Sequence, residues 1–184
     1  MKSVVFSAAV SVLALTGSAL AFDVSSSSIG PDRKIPVKFT ANVFGCTGQG
    51  ISPALTWKNP PAGTKSYAVT MYDPDAPTGS GFWHWLVYNI PPTVTALVEG
   101  AGNDAKTLPP GAGGARNDAG STGYLGPCPP AGDKPHRYIV TVYALKTDKL
   151  DGVDANSSGA LMGFIINSAK IGKATVTYTY GRPK

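Results

Sequence analysis

The alternation of apolar and polar positions marks a series of strands. Phe82 to Tyr88 is too short for a typical helix and too aromatic for a loop, which predicts a strand. Strict alternation puts Phe82, His84, Leu86 and Tyr88 on one face and Trp83, Trp85 and Val87 on the other. Both faces are apolar, as in a strand covered on both sides, with His84 the polar exception. His136 to Leu145 predicts a second such strand, with His136, Tyr138, Val140 and Val142 on one side. Ser66 to Tyr72, Ala54 to Trp57 and Ala174 to Tyr180 alternate in the same way. Ile35 to Thr40 predicts a short edge strand because Pro36 lacks an amide hydrogen. Phe22 to Pro31 reads as an extended, serine-rich lead-in. Glu99 to Thr122 reads as a long surface excursion, since it is rich in Gly, Ala, Asn and Asp and poor in apolar anchors. The one predicted helix of the mature chain spans Asp154 to Lys170. Asn156 or Ser157 would cap it, and Leu161, Phe164, Ile165 and Ile166 would form its apolar face.

Composition agrees with a mainly β chain. Of 184 residues, 22 are Gly and 16 are Pro while only 15% are charged, which favours turns and strands over a helical bundle. The N-terminus changes the picture. Lys2, an apolar stretch from Val4 to Leu20 and the small-x-small triplet Ala19-Leu20-Ala21 have the layout of a secretory leader cut after Ala21. That stretch is short and broken by Ser7, Ser11, Thr16, Gly17 and Ser18, which argues against a membrane span. The expected organisation is thus a leader, 1–21, and a single domain, 22–184, without a transmembrane segment, in the periplasm or secreted. Cleavage removes Lys2 and no acid, so the formal charge falls by one from +5. No Lys/Arg stripe and no nucleic-acid module is present, so nucleic acid is not an expected partner. Cys46 and Cys128 are expected to pair in an oxidising compartment, because neither has a second Cys or a His at metal-ligand spacing.

The chain has two histidines, and each opens a predicted core strand beside a proline-rich turn. His84 follows Asp73-Pro74-Asp75-Ala76-Pro77, and His136 follows Gly126-Pro127-Cys128-Pro129-Pro130. Each could be a core imidazole bonded to backbone. If both turns lie at one end of the sheet, the two rings and a carboxylate instead converge on a site. No G-x-S-x-G elbow and no H-E-x-x-H motif occurs, so the expectation is a binding protein and not an enzyme, without cofactor or metal. A hydrolytic metal held by two His and an Asp is the weaker reading.

These two turns, together with Trp83-His84-Trp85-Leu86-Val87 and His136-Arg137-Tyr138, resemble the phosphatidylethanolamine-binding protein family, in particular its bacterial, Raf kinase inhibitor-like branch. The resemblance runs from the region of Ile35 to Arg182. It implies a β-sandwich with one C-terminal helix and few short helices, and a small pocket for phosphate-type anions and phospholipid head groups. Carried over residue by residue, the pocket comprises Asp73, His84, Gly126, Pro127, His136 and Tyr138, with Asp75 bracing the turn. The chain has Asn167, Ser168 and Ala169 where bacterial relatives commonly carry histidines. The implied ligand is small and phosphorylated or zwitterionic. The alternative is an inhibitor or modulator of a protein in the export compartment, such as a protease.

The leader reading has a direct check. Intact mass of the protein recovered from the producing organism should correspond to a chain starting at Phe22; an exported form retaining Met1 to Ala21 would refute it.

Overall fold

The computed structural model describes residues 20–184, so the expected leader falls almost wholly outside the described residues. Eight strands form two antiparallel sheets. The small sheet is β1 (Asp23–Ser25), β2 (Leu55–Lys58) and β5 (Ala96–Leu97), in the order β1-β2-β5. The large sheet contains β3 (Ser66–Asp73), β4 (Phe82–Ile90), β6 (Gly113–Gly114), β7 (His136–Leu145) and β8 (Lys170–Tyr180). Its order is β6-β4-β3-β7-β8. The space between the sheets holds the main core: Trp57 and Leu55 from β2 meet Tyr67, Val69 and Met71 from β3 and Tyr138, Val140 and Val142 from β7. Fully burying side chains of this kind is worth roughly 1.5–3 kcal/mol each. A second apolar layer on the outer face joins Ala68, Leu86 and Leu145 to α1 (Gly159–Ala169), the one α-helix among the described residues. The mainly β, sandwich-like architecture with one C-terminal helix is therefore observed, and the large sheet is covered on both faces as its double-sided strands required.

Several local expectations change. Ile35 to Thr40 is no strand: Val37–Phe39 makes one 3-10 turn, with the Phe39 amide donating to the Pro36 carbonyl at 3.0 Å. Pro36 fixes φ for turn entry; the buried Ile35 keeps a single bridge-type contact, its amide donating to the Thr179 carbonyl at 2.9 Å, and Phe39 is buried outside any strand. The helix begins at Gly159, five residues later than predicted, capped by Ser158 and not by Asn156 or Ser157. The Ser158 hydroxyl accepts from the Leu161 amide at 3.2 Å. Asp154 and Ser157 bond each other in the preceding turn and so hold those residues out of the helix. Its buried side is Gly159, Met162, Ile166 and Ala169, while Leu161 and Phe164 are exposed. Gly159 sits directly on the Trp83 ring, where a Cβ would lie 2.4 Å from ring atoms, and this contact sets the helix rotation.

The 99–122 segment is also more ordered than expected. Gly113 and Gly114 pair with Tyr88 and Val87, and the Ala115 amide donates to the Leu86 carbonyl at 3.0 Å. Asp118 then closes a reciprocal pair with Trp83. Its amide donates to the Trp83 carbonyl (3.0 Å), and its carboxylate accepts from the Trp83 amide (2.8 Å). The segment protects the outer edge of β4, a role that hydrophobic patterning does not record.

Two tethers hold the turns at the end of the large sheet. Cys46 and Cys128 are bridged, with Cα atoms 5.9 Å apart and a sequence separation of 82. Asp75 receives two hydrogen bonds from the Arg137 guanidinium (2.7 and 2.9 Å) and one from the Arg137 amide (2.8 Å). Asp75 thus ties the turn after β3 to the start of β7.

Thiol titration of the denatured, unreduced protein should find no free thiol. A Cys46→Ser/Cys128→Ser variant should lose up to about 4–5 kcal/mol by loop-closure entropy, read from its denaturant midpoint; an unchanged midpoint would refute the role. The Arg137 hydrogen bonds hold the Asp75 carboxyl down to about 2, below its ordinary 3.8. Its stabilisation is therefore complete above about pH 4 and fades as pH falls toward 2. Asp75→Asn should cost about 1 kcal/mol at neutral pH, since the pair is partly exposed and screened. Melting curves should show the gap to wild type closing between pH 4 and 2; a constant gap would contradict the assignment.

Candidate functional site

The antiparallel order β4-β3-β7 brings three strand ends to one rim: the end of β3 with Asp73, the start of β4 with His84, and the start of β7 with His136 and Tyr138. Between them and the 125–130 turn lies a cleft of about 220 Å³. Five of the six residues predicted for the site line it: Asp73, His84, Gly126, His136 and Tyr138. Pro127 does not. It is buried behind the turn, where its carbonyl accepts from the Ala41 amide at 3.1 Å.

His84 reaches the cleft because β4 breaks its alternation there. Tyr72 pairs with Trp83 and Met71 with Trp85, so two successive residues of β3 face three of β4 and His84 is the extra residue of a bulge. From Trp85 onward the sides are reversed relative to strict alternation. Trp85 and Val87 enter the core between the sheets, whereas Trp83, Leu86 and Tyr88 pack toward the helix. The strict two-face reading of this strand is thus corrected at the histidine itself. Leu125 secures the bulged residue from both sides: its amide donates to the His84 carbonyl, and its carbonyl accepts from His84 Nδ1, each at 2.9 Å. A neutral ring held this way carries its lone pair on Nε2. Burial pushes the His84 pKa below the ordinary value, against smaller opposing effects from the Leu125 carbonyl and the Asp73 charge. The ring packs against Phe82 and Tyr138, with centroids at 4.9 and 5.3 Å.

The second histidine has a different environment. His136 Nδ1 donates to Asp73 Oδ2 at 2.8 Å, and its Nε2 lies 3.6 Å from Asp133 Oδ2. Both ring nitrogens face carboxylates. Asp73 is buried, and its other oxygen accepts from the Asp75 amide at 2.8 Å. Its task is therefore to orient the ring and shape the turn. Tyr138 completes the floor. Its hydroxyl is buried and completes no hydrogen bond of regular geometry among the described residues. Burial, with the charge of the neighbouring Asp73 and its reach as a hydrogen-bond acceptor, drives the phenol pKa far up, so the group stays a hydroxyl donor.

Gly126 is dictated by a close approach. A Cβ there would lie 2.4–2.5 Å from backbone atoms of Phe39, Thr40 and Ala41. The turn is pressed onto that segment, where Tyr124 also donates from its hydroxyl to the Phe39 carbonyl at 2.8 Å. Arg182 adds a clamp, donating to the Pro129 carbonyl (2.7 Å) and to the Gly45 carbonyl (2.9 Å) across the disulfide. Sequence reasoning missed Phe44, Phe82 and Leu125 in the cleft wall and Asp118 behind it. Only Phe82 had a local signal, through its place in the aromatic run.

A model of the phosphatidylethanolamine-binding protein family matches residues 25–181. The Escherichia coli UPF0098 protein YbcL is 50% identical over 181 residues, covering 98% of each chain. The Escherichia coli UPF0098 protein YbhB is 45% identical over 152 residues, covering 83% of this chain and 95% of its own. The crystal structure of E. coli YbcL, described as a new member of the mammalian PEBP family, matches with a TM-score of 0.84 at 53% identity, covering 87% of this chain and 98% of that one. A phosphatidylethanolamine-binding protein homolog from Chlamydia trachomatis matches with a TM-score of 0.73 at 31% identity, over 88% and 98% of the two chains. With its two-sheet fold and its paired histidine turns at one rim, the chain belongs to the phosphatidylethanolamine-binding protein family.

Proposed function

We propose that the protein is exported and binds a small phosphate-type anion or phospholipid head group in the rim cleft, holding it without converting it. The observation that carries this reading is the pairing in one cleft of the buried Tyr138 hydroxyl, which completes no hydrogen bond of regular geometry and has only the already bonded Asp73 carboxylate beside it, with His84, whose Nε2 is not taken by the Leu125 bond. A buried donor without a completed bond is costly in the empty protein, and a ligand oxygen removes that cost. His84 supplies the second donor once protonated. The Cys46–Cys128 bridge supports export, since such bonds persist in oxidising compartments.

The two histidines then do different work. His84 is neutral in the empty cleft near neutral pH, because burial disfavours its charge. An anion beside Nε2 reverses that preference, so binding takes up a proton. Affinity for a phosphodiester, whose charge is constant, should weaken as pH rises and the proton becomes harder to supply. His136 acts through Asp73: removing it leaves a buried carboxylate without its partner.

Calorimetric titration with glycerophosphoethanolamine tests this. His84→Ala should cost about 1.5–3 kcal/mol of binding, the worth of a charge-assisted hydrogen bond, in a protein that circular dichroism shows to be folded. His136→Ala should lower both affinity and melting temperature. Apparent binding enthalpy near pH 7 should vary with buffer ionisation enthalpy, and ligand recovered after long incubation should be unchanged by phosphorus NMR. Equal affinity in wild type and folded His84→Ala would overturn the reading.

A further inference from the structure

The mouth of the cleft has a second chemistry. Besides the polar floor, its wall contains Phe44, Pro77, Phe82, Pro129 and Pro130, so the donors sit at the bottom of an apolar funnel. Phe44 is the anomalous member. It is 71% exposed, and it adopts φ +56°, the left-handed region that a bulky side chain avoids. A residue held there with its ring in water contributes little to the core and costs backbone strain of order 1–3 kcal/mol. Asn or Gly would hold the same backbone at less cost.

The surroundings hold Phe44 in this conformation. Cys46 two residues later is bonded to Cys128 in the opposite wall, and Arg182 grips the Gly45 carbonyl. The loop carrying Phe44 and the turn carrying Pro129 and Pro130 are thereby fixed as the two jaws of one opening. An exposed, strained aromatic held at the entrance of a donor-lined cleft is best explained by a contact made when the cleft is filled.

Resting on the head-group reading above, we infer that Phe44 is a specificity-determining residue, which packs on the apolar substituent of a phosphate ester whose anionic group sits at His84 and Tyr138. The preferred ligand class is thus an organic phosphate with an apolar or aromatic group within a few bonds of phosphorus, in preference to inorganic phosphate or a small hydrophilic ester. The anion satisfies the floor, while the substituent covers Phe44, Phe82 and the prolines and removes them from water.

The test compares phenyl phosphate with methyl phosphate at about pH 7.5, where both monoesters are largely dianions. Wild type should prefer phenyl phosphate by about three- to tenfold, as expected for one added aromatic contact. Phe44→Gly should remove most of that preference, weakening phenyl phosphate several-fold more than methyl phosphate. Its melting temperature should not fall, because glycine accepts the left-handed backbone. A merely structural Phe44 would give the reverse, a destabilised protein with its preference intact. Phe44→Asn, also at home in that conformation, gives the same readout should the glycine variant fold poorly. Equal binding of the two esters by wild type, or a preference that survives in both variants, overturns the inference and leaves the head-group site standing. Binding of neither ester removes both.

Discussion

The hydrogen bond between Asp73 and His136 is the constraint on which the site depends. It joins the last residue of the central strand to the first residue of its neighbour, and both partners are buried. A carboxylate taken out of water needs partners for its oxygens, and here one oxygen accepts from the imidazole and the other from the Asp75 amide. Satisfying Asp73 therefore fixes the His136 ring and the start of the turn together. Asp75 extends the arrangement outward by gripping Arg137, so consecutive residues of β7 are held by the same turn.

The opposite wall is built by exclusion of side chains more than by charge. Gly126 lets the backbone of the turn lie against residues 39–41, closer than any Cβ would permit. The disulfide and Arg182 lock that approach from the far side. His84 occupies the space between the two walls, presented by a bulge and held by Leu125 on both its backbone and its ring. A cleft assembled from rigid strand ends and proline-locked turns loses little conformational entropy when it binds, which suits recognition of a small ligand.

The same construction separates two roles that similar residues share. One histidine is committed to carboxylates, whereas the other keeps a nitrogen available beside a hydroxyl without a completed bond. The apolar rim adds a third element, with Phe44 strained into place by a covalent and a hydrogen-bonded tether. Polar floor and apolar rim together define an amphipathic opening at the end of a sheet that is otherwise sealed on both faces.

The residue pattern by itself determined the β-rich class, the strong strands, the disulfide partners and the two histidines of the cleft, while the family resemblance added Asp73, Gly126 and Tyr138. The pattern could do so because period-two alternation and proline-rich turns are local properties, and because the two histidines were each written beside such a turn. Tertiary structure decided what depends on partners distant in sequence. The bulge at His84 exists because β3 and β4 differ by one residue in register there, which no alternation within β4 can reveal. The helix face was set by Gly159 settling on Trp83, not by the strongest apolar run, which left Leu161 and Phe164 in solvent. The 99–122 segment lacked hydrophobic signal yet is held by backbone bonds to β4, and such bonds are independent of side-chain character. Phe44 became part of the site only through a bridge spanning 82 residues. Long-range pairing and close backbone approach carry no local signature, so these features emerge only when the chain is folded.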